Sequence, residues 1–342
     1  MRTGFSFIFL LLFTLLAALP VRAADYLTES RSRPFLDTTV TMDLCFVDGR
    51  QDDVGAILDS VWKRLDELAA RADSGKPRSD VSLLNAAGGR PVRLHEDIYR
   101  LFSAARGVML RTDGMFDITI APLSDLWRGA ARQGSLPALR DITEARQHVG
   151  PDKLELSGDG MARLTDPSGK IELNVIASAF AVDEAVGMLK KARFFNFMIR
   201  AGQVVYVRGS NCQGRAWRMD VRDPDRHDKI IDRLEPGEVA VASSGDNVAS
   251  TMIQGRRWSG LMNPMTGYPQ NGVAGVTVLA PSAVEACAWS VALGILGPAQ
   301  GLRRLEEMGE GYDALVLFRR EGGRYEWHSS PGYEDRRVNQ SN

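Results

Sequence analysis

The chain has 342 residues and a formal net charge of −1, with 44% hydrophobic and 25% charged residues. This composition is typical of a globular protein with ample material for a hydrophobic core, in one large domain or two intertwined ones. The balanced charge, and the lack of any run rich in lysine and arginine, give no support for nucleic-acid binding. We therefore expect no nucleic-acid partner.

The first residues have the layout of a secretory signal peptide. Arg2 precedes an apolar run over 5–19, and the small residues of Val21-Arg22-Ala23 follow it. The run is too short for a comfortable bilayer span, and no later stretch is long enough to form one. We predict that residues 1–23 are removed on export and that the mature protein is periplasmic or secreted, with no stable membrane span. An uncleaved anchor is the alternative.

Beyond this segment, helical and extended patterns alternate. Apolar residues alternate with polar ones along Thr38–Val47, which predicts a strand, and recur at helical spacing from Val54 to about Ala72. Further helices are predicted over 96–111, 142–148, 176–191, 283–296 and 299–308, and further strands over 153–156, 162–164, 170–173, 197–200, 204–208, 216–221, 238–242, 275–279, 312–318 and 324–328. No clean linker separates these elements. We predict one α/β (α+β) domain over 24–334 with a mixed, mostly antiparallel sheet and flanking helices, and a disordered tail over 335–342.

A dense cluster of turn residues lies between two of the predicted strands, from Val241 to Pro269. Gly245 and Gly267 can adopt positive φ angles, and Asn263 can close an Asx turn. Such a cluster predicts a shaped loop held by a sheet, which is where ligands often bind. A plain connector is the alternative interpretation.

The three cysteines, Cys45, Cys212 and Cys287, match no metal-binding spacing. Two of them could pair in an oxidising compartment and leave one over, but Cys45 and Cys287 lie in apolar patterns typical of buried thiols. We therefore expect no disulfide framework. The chain also lacks a nucleophile elbow, a Walker loop and a Rossmann glycine fingerprint. Asp117 is either a site carboxylate or an ordinary turn residue.

Several motifs, in the same order, resemble those of the ApbE family of FAD:protein FMN transferases. Residues 112–119 resemble T-x-G-A-F-D-P-T, and Pro122 to Trp127 resembles P-L-x-x-L-W. Ser243 to Asp246 resembles T-S-G-D, and Asn263 to Pro269 resembles D-P-x-T-G-Y-P. The segment 286–297 resembles the family helix A-D-A-L-S-T-A-L-x-x-L-G. The resemblance extends from about Thr38 to Val316.

The resemblance implies a protein that binds FAD and Mg²⁺ and transfers FMN to a threonine or serine of a flavoprotein acceptor. It assigns cofactor contacts to six positions: Met115, Phe116, Asp117, Glu172, Ser178 and Leu261. In the family, Mg²⁺ is held by a carboxylate and a hydroxyl four residues apart on one helix, joined by a backbone carbonyl of the G-G-I-A-K-G segment. Mg²⁺ prefers such hard oxygen ligands because it is a small, hard cation.

This chain departs from the family pattern at the metal positions. Cys287 replaces the helix aspartate, Val291 replaces the threonine, and Val175 lies in the segment that lends the carbonyl. Cysteine is a soft ligand and valine offers none, so we predict no Mg²⁺ binding that matters at millimolar concentration. An alternative metal position stays open, and its candidate ligands are Asp117, Glu172, Asp183 and Asp246.

Two further residues of the family pattern are replaced. Ser178 lies where the family has the lysine of G-G-I-A-K-G, and Gly260 lies where it has a histidine. The family's M-G-T segment corresponds to Phe35-Leu36-Asp37 in one alignment of the two patterns. The sequence therefore leaves two functions open. One is an exported flavin transferase. The other is a catalytically silent relative that binds a flavin or a partner protein.

Overall fold

The computed structural model describes residues 26–226, 228–246 and 250–338. The predicted signal peptide, including its cleavage position after Ala23, lies outside these residues. The described helices are α1 (Gln51–Ala72), α2 (Asp80–Asn85), α3 (Glu96–Arg111), α4 (Ala121–Gln133), α5 (Leu139–Gln147), α6 (Asn174–Lys191), α7 (Ala283–Glu306) and α8 (Pro331–Asp335). Within the described part of the chain, no helix has both the length and the hydropathy that a bilayer span requires.

The strands form one large sheet and three small ones. In chain order they are β1 (Tyr26–Phe35), β2 (Thr38–Val47), β3 (Val92–Arg93), β4 (Leu154–Ser157), β5 (Met161–Leu164), β6 (Asn196–Ala201), β7 (Val204–Arg208), β8 (Met219–Arg222), β9 (Ile230–Leu234), β10 (Val239–Ser244), β11 (Ser250–Ile253), β12 (Arg256–Ser259), β13 (Val273–Ala280), β14 (Asp313–Arg319) and β15 (Tyr325–Ser329). The large sheet has the order β1-β2-β6-β7-β10-β13-β14-β15. Each pairing of neighbouring strands in it is antiparallel, which confirms the predicted fold class.

One face of the large sheet carries the main core. Helices α1, α3, α6 and α7 bury their apolar sides there, and Trp62, Phe102, Phe197 and Trp289 are among its fully buried side chains. Strand β13 is buried along its whole length, because α7 covers one of its faces and a smaller apolar cluster containing Leu279 covers the other. This central position explains its nearly continuous apolar sequence, which only Thr277 interrupts.

Most predicted elements are present, and the differences have physical causes. Strand β1 was not predicted because it is a polar edge strand whose residues are mostly exposed, so it lacks an alternating pattern. Strands β9, β11 and β12 are short, and they pair in small hairpins outside the main core. Residues 170–173 form no strand, and only an isolated bridge joins Lys170 to Ile120. The division predicted between the helices over 283–296 and 299–308 is present, because Gly297 has a non-helical φ of 74° and separates two helical segments of α7.

The structure decides the cysteine pairing, which the sequence left open: two cysteines pair and the third is left over. Cys45, on β2, forms a disulfide with Cys212, and their Cα atoms are 5.3 Å apart although 167 residues separate them. Cys45 is buried, as predicted. The loop after β7 nevertheless folds back over it. This loop is held by the backbone N–H of Ser210, which donates to the Asn196 side chain. Cys287 is a free, buried thiol.

Residues 335–338, the described part of the segment predicted to be a disordered tail, contact the rest of the domain. Arg336 forms an ion pair with Asp313, and the backbone N–H of Val338 donates to the carbonyl of Arg233 at 2.8 Å. These contacts attach the segment after α8 to β9 and β14. Residues 339–342 lie outside the described part.

Candidate functional site

A cavity of about 400 Å³ opens where the end of β10 meets the first turns of α6 and the middle of α7. The six cofactor positions and the three metal positions that the family resemblance implies border this cavity: Met115, Phe116, Asp117, Glu172, Val175, Ser178, Leu261, Cys287 and Val291. They come from four separate parts of the chain, which the fold brings together. Its volume lies in the range of small-molecule binding sites, about 300–1,000 Å³.

The turn after α3 positions Asp117 in the cavity wall. Asp117 Oδ1 accepts hydrogen bonds from the backbone N–H and the hydroxyl of Thr119, both at 2.7 Å. Oδ2 is buried and has no hydrogen-bond partner among the described residues. Burial raises the pKa of Asp117 to about 6, although the hydrogen bonds from Thr119 act in the opposite direction. The wall therefore contains a buried carboxyl group with one oxygen unused.

Glu172 lies beside this turn because its backbone N–H donates to the carbonyl of Ile118 at 2.8 Å. Its carboxylate accepts hydrogen bonds from both terminal nitrogens of Arg128, each at 3.2 Å. Two parallel hydrogen bonds of this kind fix the direction of both groups. Glu172 is thus a cavity carboxylate whose charge is balanced by an arginine of α4.

Helix α7 presents Cys287 and Val291 to the cavity, one helical turn apart. The Cys287 thiol is 1% exposed, and burial, with a smaller effect of the Asp183 carboxylate, raises its pKa to about 12. Between these two positions, the carbonyl of Ser290 accepts a hydrogen bond from the Ser244 hydroxyl at 2.7 Å. That bond ties α7 to the end of β10.

The loop between β10 and β13 forms another wall, as its turn residues predicted. Asn263 Oδ1 accepts from the backbone N–H groups of Met265 and Thr266, at 2.9 and 3.2 Å, which is the expected Asx turn. Gly267 has a φ of 75°, and its carbonyl accepts from the Trp127 indole N–H at 2.9 Å. The hairpin β11–β12 lies within this loop and was not predicted.

Mg²⁺ prefers oxygen ligands. At neutral pH a thiol with the pKa of Cys287 stays protonated, and Val291 has no donor atom, so these two side chains offer Mg²⁺ no oxygen ligand. Among the four alternative carboxylates, Asp183 accepts from the backbone of α7 and Asp246 faces Arg319 at 3.9 Å. Within the described ranges, no group of three His, Cys, Asp or Glu side chains could share a metal ion. At the two α7 positions where the family pattern has a carboxylate and a hydroxyl, this chain therefore carries a thiol and an aliphatic side chain.

Sequence patterns missed several residues that line the cavity or contact its lining. Arg128 pairs with a glutamate 44 residues away, and Gln203 reaches the cavity from the turn between β6 and β7. Neither has a local signal. Asp37 also borders the cavity, and Leu36 before it has a φ of 49°, a conformation that favours glycine. The positive φ of Leu36 agrees with the alignment that places Leu36 at the glycine of the family's M-G-T segment.

An antiparallel sheet flanked by helices, with a ligand-sized cavity where strand β10 ends, defines the fold class as α/β. The family model described as "ApbE family" matches residues 36–316, and the chain belongs to this family.

Named relatives agree with this assignment. The chain is 26% identical over 265 residues to an FAD:protein FMN transferase from Klebsiella pneumoniae, covering 75% of each protein. The solved ApbE protein from Thermotoga maritima is 25% identical, with a TM-score of 0.79 and coverage of 92% of this chain and all of that one. The flavin transferase ApbE from Vibrio cholerae has the same fold, with a TM-score of 0.79, 23% identity and coverage of 91% and 99%.

Proposed function

We propose that this protein is an exported, flavin-binding member of the ApbE family that does not carry out metal-dependent FMN transfer. The observation that carries the proposal is the pair Cys287 and Val291, which face the cavity where the family pattern has a carboxylate and a hydroxyl. A protonated thiol and a valine cannot replace two hard oxygen ligands. Without those ligands, the Cys287 and Val291 positions cannot hold a cation against the pyrophosphate of FAD.

Binding of a flavin is supported by the walls that remain. The cavity keeps a mostly apolar lining, with Asp117 and Glu172 placed by hydrogen bonds at one side. Apolar walls with a few fixed polar groups are the usual setting for an aromatic ligand. The protein would then hold the flavin without covalent transfer, and a flavoprotein would be its natural partner.

A second candidate function is FAD:protein FMN transfer itself. The names of the curated relatives favour it, since they are FAD:protein FMN transferases with 25–28% identity to this chain. A flavoprotein with an accessible threonine or serine would be the acceptor. Because Cys287 and Val291 offer no hard ligand for Mg²⁺, this function requires another group that neutralises the negative charge of the FAD pyrophosphate.

Export is part of the proposal. It is supported by the signal-like residues at 2–23 and by the disulfide between Cys45 and Cys212, since such bonds persist in oxidising compartments. Amino-terminal sequencing of the protein from its native host should begin at or near Ala24. Recovery of the protein from the cytoplasm with Met1 in place would contradict export.

The transfer assay separates the two candidate functions. Purified protein would be incubated with FAD, MgCl₂ and a flavoprotein acceptor, with the Klebsiella pneumoniae relative as positive control. Binding would be followed by flavin fluorescence and transfer by mass spectrometry of the acceptor. We expect flavin binding and no covalent FMN on the acceptor. Covalent FMN formed at a rate near that of the control would refute the proposal.

A further inference from the structure

A second cavity, of about 510 Å³, lies between the large sheet and strand β8. Met198 and Arg200 of β6 border it, whereas Phe197 and Ile199 of the same strand belong to the main core. Side chains alternate between the two faces of a strand, so this cavity lies on the face of the sheet opposite the main core. The two cavities adjoin only near the end of β10, and no residue of α6 or α7 lines the second one.

Arginine dominates the charge of this second cavity. Its charged lining residues are three arginines and one aspartate, namely Arg200, Arg218, Arg222 and Asp220. Ion pairs with residues outside the lining leave that balance unchanged, because one adds an acid and the other a base. Glu235 pairs with Arg218 at 2.8 Å, and Arg233 pairs with Asp220 at 2.7 Å. Guanidinium groups stay protonated in proteins, so the excess of arginine does not depend on a titration state.

Arg200 is the cation of this lining that other side chains compensate least. It is exposed, it forms no ion pair among the described residues, and its guanidinium donates to Met198 Sδ at 3.4 Å. The acidic residues that follow β8 are already paired, since Asp223 contacts Arg226 at 3.2 Å and Asp225 forms an ion pair with Arg319. The Arg200 guanidinium therefore faces the cavity with its charge largely uncompensated.

Hydroxyl groups lie on the floor of the same cavity. Ser243 of β10 and Thr277 of β13 are cross-strand partners, and their hydroxyl oxygens are 3.2 Å apart. Arginine together with serine and threonine hydroxyls is a common set of donors to phosphate oxygens. Met219, Val221 and Leu317 add apolar surface that can contact a carbon skeleton.

We propose that this second cavity binds a phosphate monoester of a small organic molecule. A phosphate monoester carries about −1.5 to −2 charges at pH 7, which matches the excess of arginine better than the single charge of a carboxylate does. Arg200 would hold two phosphate oxygens with its planar fork, and the hydroxyls of Ser243 and Thr277 would donate from the floor. This site does not depend on the proposed flavin binding.

The direct test is isothermal titration calorimetry of the full chain with phenyl phosphate at pH 7.5 and low salt. Benzoate is the comparison, because it has the same ring with one carboxylate. We expect saturable binding of phenyl phosphate, and binding of benzoate weaker by on the order of tenfold, the factor expected for a second unit charge at about 10 Å from an arginine. No saturable binding of phenyl phosphate at millimolar concentration, or equal binding of the two compounds, would overturn the inference.

A charge variant makes the test specific to this cavity. Arg200→Gln removes the exposed guanidinium and should weaken phenyl phosphate binding by on the order of tenfold, since it removes hydrogen bonds to a charged group. Arg132→Gln is the matched control, because Arg132 is an exposed arginine of α4 that borders neither cavity and forms no ion pair among the described residues. The control should bind phenyl phosphate as wild type does. Equal affinities of the two variants, both folded by circular dichroism, would refute the assignment of the site.

Discussion

Asp183 of α6 accepts a hydrogen bond from the backbone N–H of Ala283, at 2.7 Å, and thereby joins α6 to the first residue of α7. Its second oxygen accepts from the N–H of Val284 at 3.0 Å. Unpaired N–H groups at a helix start are costly when they lie away from water. These two hydrogen bonds therefore fix the position of α6, which carries Ser178, relative to α7, which carries Cys287.

Replacement of this cap should destabilise the protein. Asp183→Ala leaves two N–H groups of α7 without an acceptor, which should lower the free energy of unfolding by about 1–3 kcal/mol. Urea denaturation at pH 7.5 measures the change. Asp66→Ala, an exposed position on α1, is the control and should change the value by less than about 0.5 kcal/mol. Equal effects of the two substitutions would show that the cap is not stabilising.

Asp117 should make stability depend on pH. Burial raises its pKa from an ordinary value near 3.8 to about 6, so the folded protein binds a proton there more tightly than the unfolded chain does. Stability that is fully present below pH 3.8 is therefore lost as the pH rises through about 6. Asp117→Asn keeps an oxygen for Thr119 and removes the buried charge. It should raise the free energy of unfolding at pH 8 relative to wild type by about 1–3 kcal/mol.

The same comparison at pH 4.5 should show a much smaller difference, because wild-type Asp117 is then mainly protonated in the folded state. Asp152→Asn is a useful control, since Asp152 is exposed and contributes only a smaller, repulsive effect on Asp117. A gain in the Asp117→Asn variant that does not vary between pH 4.5 and pH 8 would contradict the pKa assignment.

Restoring oxygen ligands on α7 should restore metal binding. We expect wild-type protein to show no shift in melting temperature with millimolar Mg²⁺, and Cys287→Asp with Val291→Thr to show one when FAD is present. Both positions face the cavity one turn apart, so the new oxygens would point the same way. Before metal is added, the buried new carboxylate should destabilise the fold by about 2–5 kcal/mol.

Transfer activity of this double variant should stay close to zero, because catalytic groups that act together do not recover additively. A quadruple variant that also carries Ser178→Lys and Gly260→His is the comparison. If neither variant gains a Mg²⁺-dependent shift while both remain folded, the family metal site does not lie on α7 in this protein. A clear shift in wild-type protein would contradict the prediction directly.

The disulfide should be needed for full stability. Cys212→Ser removes a cross-link between residues 167 positions apart, and losses of this kind cost about 2–5 kcal/mol. Thiol titration of unreduced wild-type protein should detect no reactive thiol in the native state and one, Cys287, after denaturation. Detection of three thiols in denatured protein purified under oxidising conditions would show that the bond does not form.

Local patterns predicted much of the secondary structure. The periodicity of α1 and α3, the alternation in β2 and the turn around Asn263 depend on residues close together in the chain, so they are visible without the fold. Strand β1 was not predicted because an edge strand needs no alternation of apolar and polar residues. Its extended conformation is held by pairing with β2, which no pattern in its own residues indicates.

The residue types at the site, above all Cys287 and Val291 in place of oxygen ligands, can be read from the chain alone. That these two share one cavity with Asp117 and Glu172, and that Arg128 pairs with Glu172, follows from the folded structure. The pairing of Cys45 with Cys212 follows from it as well. The reason is physical, because the charge, burial and pairing of a side chain depend on neighbours that folding brings from distant parts of the chain, and no local pattern records them.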